Sequence, residues 1–173
     1  MTPASRVRAR SLFFLRSPEA DLIRVQQEDF DVGAEIARLR ADRTDIGAIV
    51  TFLGTVRDQG GAVAEMTLEH YSGMTEDELS RIEEEAHARW PLQASLIVHR
   101  YGSLRPGDNI VLVATASEHR DAAFDAAKFL MDYLKTRAPF WKREDGPGGP
   151  RWIEADARDE TSMTRWDKSS AAE

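Results

Sequence analysis

The apolar residues change period several times along the chain, and each change marks an element. Leu22 to Gln26 can form a short first strand, and Asp31 to Leu39 then takes helical spacing through Val32, Ile36 and Leu39. Ile46 to Leu53 is a β-branched apolar run that stops at Gly54, which predicts a mostly buried strand. After the turn residues Asp58-Gln59-Gly60-Gly61, the segment Val63 to Tyr71 alternates Met66, Leu68 and His70 against Thr67 and Glu69. That alternation predicts a half-buried strand, antiparallel to its predecessor. Thr75, with Glu78 three residues on, has the form of a capping box; the helix it opens should run to Trp90, where Pro91 stops it. Ala94 to Arg100 and Asn109 to Ala116 read as strands around a Leu104-Arg105-Pro106-Gly107-Asp108 turn. A second long helix is expected from Asp121 to Lys135, with Phe124, Ala127, Met131 and Leu134 on one face. Pro139 then pushes Ala138 toward extended geometry. Gly146-Pro147-Gly148-Gly149-Pro150 reads as a flexible loop and Arg151 to Ala155 as a last strand. Short antiparallel strands interrupted by two or three helices predict a single α+β domain.

Composition narrows the boundaries and the chemistry. The 173 residues suit one domain with a genuine core. Residues 1–20 carry Arg6, Arg8, Arg10 and Arg16 without clear periodicity, and are expected to be a loosely ordered arm or a misplaced start. Residues 21–158 form the domain, and 159–173 a polar tail whose Trp166 could dock. The apolar cluster Leu12-Phe13-Phe14-Leu15 is too short for a membrane span or a signal segment, so the cytosol is the expected compartment. A net charge of −7 argues against generic binding to nucleic acid or anionic membranes. The absence of cysteine removes disulfides, thiolate metal sites, iron–sulfur clusters and cysteine nucleophiles. His70, His87 and His99 read as packed or solvated; no pair of histidines has zinc spacing, and no P-loop, GxGxxG or GxSxG occurs. No metal or cofactor is therefore expected.

The acidic total conceals a local reversal. Glu76, Asp77, Glu78, Glu83, Glu84 and Glu85 lie on one helix, expected to be a solvated face. Between Lys128 and Arg143 there are five cations and one anion, Asp132. Lys128, Asp132 and Lys135 fall at i, i+4, i+7, so Asp132 could simply neutralise its neighbours, and Lys135 gains from the helix dipole. Lys142 and Arg143, beyond Pro139-Phe140-Trp141, could instead swing toward the same helix end. Two lysines close together depress one another's pKa, one route to a lysine that acts as base or nucleophile. Ser117-Glu118-His119-Arg120 lies at the opposite junction, where free backbone N–H groups beside His119 and Arg120 could seat a phosphate or carboxylate. The plainer reading makes Ser117 a cap with both side chains solvated. Gly54-Thr55-Val56-Arg57 is a third candidate, its glycine allowing a ligand close approach.

Three blocks carry a resemblance. Gly47 to Arg57, Leu68 to Thr75, and above all Met131-Asp132-Tyr133-Leu134-Lys135-Thr136-Arg137-Ala138-Pro139-Phe140-Trp141-Lys142-Arg143-Glu144 resemble signatures of the large, catalytic subunit of molybdopterin synthase, the MoaE family. The blocks keep family order and spacing over about residues 46–154. The resemblance implies an α/β hammerhead fold with antiparallel sheet, and an enzyme that converts cyclic pyranopterin monophosphate into molybdopterin. Sulfur would arrive as a thiocarboxylate on the Gly-Gly tail of a small ubiquitin-like subunit, in a heterotetramer built on a homodimer of this chain. It further implies Lys135 and Lys142 as the catalytic lysines, and Arg57, His119, Arg120 and Arg143 as the anion pocket for the substrate. The family can complete that pocket with an Arg from the other protomer; the equivalent spacing after Arg151-Trp152 lands on Asp156, with Arg158 two residues later. Two other classes stay open: a binding module that docks a ubiquitin-like tail without turnover, and a basic-site protein for nucleotides or RNA.

Overall fold

The computed structural model describes residues 23–58, 60–153 and 162–166. Its elements are β1 (Ile23–Gln26), α1 (Val32–Arg40), β2 (Ala48–Thr55), β3 (Glu65–His70), α2 (Met74–Arg89), β4 (Leu92–Arg100), β5 (Gly102–Leu104), β6 (Asn109–Ser117), α3 (Arg120–Thr136), β7 (Phe140–Gly146) and β8 (Gly149–Ile153). Residues 162–166 add one helical turn. The strands form two four-stranded sheets, β1-β4-β6-β2 and β5-β3-β7-β8. Only the β1–β4 pair is parallel among them. The architecture is α+β, as the pattern predicts.

The first sheet is covered on both faces, and its central strands show why their sequences are almost continuously apolar. Alternate residues of β4 and β6 serve opposite cores. Ile97, Val111 and Val113 join Leu79, Ile82 and Ala86 of α2 and Phe129, Leu130 and Leu134 of α3. Leu96, Val98, Leu112, Ala114 and Ala116 join Phe30 and Leu39 on the α1 side. A smaller core holds the second sheet through Val56, Val63, Met66, Leu68 and Leu104.

Several expectations need correction. β2 is an edge strand, not a mostly buried one: among the described residues it pairs only with β6, and Phe52 and Leu53 are exposed. An apolar run alone does not distinguish a central strand from an edge. β3 does alternate, with Met66 and Leu68 buried, but it pairs with β5 and β7 in the other sheet rather than with β2. The box at α2 sits earlier than expected, with Gly73 N donating to Glu76 at 2.7 Å. Thr75 is instead buried, its hydroxyl 3.4 Å from the carbonyl oxygen of Pro139. Glu83 is not on a solvated face; it is buried and accepts from the Ser95 hydroxyl at 2.5 Å, with His87 Nε2 at 3.2 Å. The buried face of α3 runs through Ala123, Ala126, Ala127, Leu130 and Leu134, which turns Phe124 out to solvent. Segment 146–150 is the tip of a β7–β8 hairpin in which Gly146 pairs with Gly149, not a loose loop. Trp166 does dock: its ring meets Trp90 and Phe129 edge-on, and its Nε1 donates to Asp132 at 2.8 Å. The 1–20 arm, the end of the predicted last strand and Arg158 lie outside the described residues.

Candidate active site

The candidate cations are set by three structural junctions. Lys135 is exposed on the last turn of α3, where the chain must leave the helix before Pro139. The Arg137 N–H still reaches Tyr133 O at 2.8 Å, then Phe140 starts β7. Phe140 stacks on His99 with ring centroids 3.7 Å apart. His99 is buried and its Nδ1 lies 2.8 Å from the Arg100 carbonyl; since a carbonyl only accepts, Nδ1 carries the hydrogen. Burial, helped by the nearby His70, lowers its pKa to about 4, so the ring under Phe140 is neutral at physiological pH.

β7 then separates its residues by the pleat. Lys142 lies opposite Leu68 and Glu144 opposite Met66, both buried partners, so the two share the inner face. Lys142 Nζ pairs with Glu144 at 2.7 Å, and Arg151 approaches the other carboxylate oxygen at 3.5 Å. Burial alone would raise the Glu144 pKa, but the ammonium and the guanidinium outweigh it and hold the carboxyl below its ordinary value. Glu144 is the site residue that the charge count missed. Its signal was the i, i+2 spacing from Lys142, which shares a face only once β7 is known to be a strand. Arg143 points the other way, to Asp145 at 3.3 Å and Thr67 at 3.4 Å. Lys142 and Arg143 therefore do not swing together toward one helix end.

The other candidates sit at the far end of α3. His119 caps the helix without a side-chain cap bond, and its ring and the Arg120 guanidinium are both exposed. Ser117 is not the cap; it ends β6, and its hydroxyl donates to Pro91 O at 3.1 Å. Gly47 places this junction, since a Cβ there would run into the Glu118 carbonyl oxygen. From Arg120 to Lys135 the helix rises about 22 Å, so one protomer does not bring these cations into a single pocket. Asp132 does not settle the helix charge either, being engaged by Trp166 and Arg165. Arg57 is exposed just beyond β2, fixed through Val56, which donates to Asp108 O at 2.9 Å and accepts from Gly107 N at 2.8 Å. Gly54 answers to packing rather than to a ligand: a Cβ there would stand 2.8 Å from Val111 Cγ1.

The sequence model of the family described as MoaE protein matches residues 25–137. The chain belongs to the MoaE family. That span includes Arg57, His119, Arg120 and Lys135, and stops before Lys142 and Arg143. A relative from Mesorhizobium japonicum named molybdopterin synthase catalytic subunit is 55% identical over 154 residues, covering 87% of this chain and 96% of its own. Among solved structures, a molybdopterin biosynthesis MoaE protein from Burkholderia ambifaria superposes with a TM-score of 0.73 at 53% identity, over 84% of this chain and 97% of its own. A molybdopterin synthase from Staphylococcus aureus gives 0.71 at 31% identity, over 78% and 98%. These MoaE relatives share the two-sheet α+β arrangement.

Proposed function

We propose that this chain is the catalytic subunit of a molybdopterin synthase. It takes sulfur from the C-terminal thiocarboxylate of a small ubiquitin-like partner and transfers it to cyclic pyranopterin monophosphate, forming the dithiolene of molybdopterin. The observation that carries the reading is the 55% identity, along 87% of this chain, to a relative named for that catalytic subunit. A sequence without cysteine fits, because the sulfur belongs to the partner. The reaction class is sulfur transfer and the compartment the cytoplasm, with residues 21–158 as the catalytic unit.

Lys135 is the principal catalytic residue in this proposal, assisting thiocarboxylate attack or proton transfer, and Lys142 is its partner. Phosphoester opening and loss of oxygen both develop negative charge, which cations fixed in advance stabilise without reorganising. Arg57, His119 and Arg120 bind the cyclic phosphate and pterin. Arg143 belongs to this set as a contribution from a second protomer, since within one chain it faces away from Lys142. The length of α3 supports the same arrangement for His119 and Arg120: a homodimer, with a small subunit at each outer end, lets one protomer's α3 N-terminus meet the other's Lys135.

Reconstitution tests the reading. The purified chain, a thiocarboxylated small subunit and cyclic pyranopterin monophosphate should yield the dithiolene product. Docking of the partner with no product, where a known synthase turns over, would replace this proposal with the binding-module reading.

A further inference from the structure

Arg143 aside, the outer face of the β5-β3-β7-β8 sheet carries a constellation to which the proposed sulfur transfer assigns no role. Strand register decides its membership. Trp141 lies opposite Glu69, and Arg143 lies between Thr67 on β3 and Trp152 on β8. Glu69, Trp141, Arg143 and Trp152 therefore share the face opposite Lys142 and Glu144. Tyr71, just past β3, sets its ring edge-on against Trp141 with centroids 4.9 Å apart. Together Glu69, His70, Tyr71, Trp141 and Trp152 line a shallow pocket. Tyr71 is 60% exposed, Trp152 53% and Trp141 43%. Three large aromatic rings gathered in water on one side of a sheet mark an interaction site rather than scattered surface.

The charges say what kind of group fits. Aromatic faces are electron-rich, and Glu69 adds a full negative charge with no hydrogen-bond or ion-pair partner among the described residues. Glu65 and Asp145 extend the same face, on which strand register places one cation among the described residues of β3, β7 and β8, Arg143. Arg143 is already engaged by Asp145, and its guanidinium carbon lies 5.9 Å from the centre of the Trp152 ring. That contact is an internal precedent: the face holds one guanidinium against an indole and beside a carboxylate. The remainder of the pocket, between Glu69, Tyr71 and Trp141, repeats the same ingredients with no cation among its described lining residues. An anion such as a phosphate would meet repulsion from Glu69. A flat guanidinium can stack on a ring and donate two N–H bonds to a carboxylate at once, which a compact ammonium cannot.

We infer that this pocket binds an arginine side chain presented by a partner polypeptide, with Glu69 accepting from the guanidinium and Trp141, Tyr71 and Trp152 enclosing it. The inference is independent of the sulfur-transfer reading. β7 then serves two purposes on its two faces, a lysine–carboxylate pair on one and a docking cage on the other.

The test is a titration of the full chain with capped Gly-Arg-Gly, followed through the indole N–H signals of Trp141 and Trp152. The citrulline peptide, which keeps the shape and loses the charge, is the control. Saturable shifts of both indoles are expected, with a Kd in the millimolar range and citrulline weaker by about tenfold or more. Glu69→Gln, an exposed and nearly isosteric change, should weaken arginine binding by about tenfold without altering the fold. Equal shifts from citrulline, unchanged affinity in Glu69→Gln, or no saturation with the arginine peptide would each overturn the inference. Tighter binding of a neutral pterin than of the arginine peptide would overturn it too, and reassign the cage to flat heterocycles.

Discussion

Glu144 is nearly out of contact with solvent yet must stay ionised, because Lys142 at 2.7 Å and Arg151 at 3.5 Å both depend on its charge. Glu144→Gln keeps the volume and one acceptor oxygen but leaves Lys142 without a counter-charge. The Lys142 ammonium then loses the partner that holds it in place. Turnover in the dithiolene assay should fall by about tenfold or more. Glu144→Asp, which keeps the charge, should recover part of that loss, whereas a merely space-filling role would favour the isosteric Gln. His99 gives a second expectation. Its pKa is about 4 when folded, against an ordinary 6.5. Between those values the unfolded chain binds more protons than the folded one, so stability rises with pH through this window and is level above it. Acidification from pH 6.5 to 4 should cost about 3 kcal/mol through this residue alone. Urea unfolding at a series of pH values checks it, and His99→Phe should flatten the window. At this scale the cations were legible in the sequence, because charge clusters need no partner to be seen. The carboxylate that holds Lys142 was not, because its role depends on which face it occupies.

Elements were legible wherever the period belonged to one strand or helix. The α2, α3, β4 and β6 segments follow from apolar spacing, and each forms close to where the pattern put it. Pairing was not legible, because register is a long-range property. The β2 run looked central and is an edge; β3 looked like its partner and joins the other sheet. β7 was hidden by its polar composition, Lys142-Arg143-Glu144-Asp145 having no apolar alternation to betray a strand. Gly47 shows how an element junction can nevertheless be written in one residue. Its N–H donates to Ser117 O at 3.0 Å, and its Cα faces the Glu118 backbone too closely for any side chain. Gly47→Ala must displace backbone rather than a flexible side-chain end, and this backbone leads directly into His119 and Arg120. A loss of about 1–3 kcal/mol in unfolding free energy is expected by denaturant titration, with weaker substrate binding in the folded fraction.

For the whole molecule, the decisive dimension is the length of α3. His119 and Arg120 stand about 22 Å along the helix axis from Lys135, too far for one compact substrate to touch both within a protomer. If the pocket is shared across a homodimer, each site takes Lys135 from one chain and Arg120 from the other. Lys135→Ala and Arg120→Ala then damage different halves of the same site. Each homodimer should lose most of its activity, since both of its sites carry the lesion. Mixing the two variants under conditions that let protomers exchange produces hybrid dimers. In a hybrid, one site collects both lesions and the other collects none. With random exchange half the dimers are hybrids, so about a quarter of wild-type activity should return. A pocket built within one protomer predicts no recovery, because every chain would still carry a damaged site. The measurement is dithiolene formation after exchange, against unmixed variants at equal total concentration. Recovery near a quarter would tie the acidic, cysteine-free chain to a catalytic surface that exists only between two copies of it.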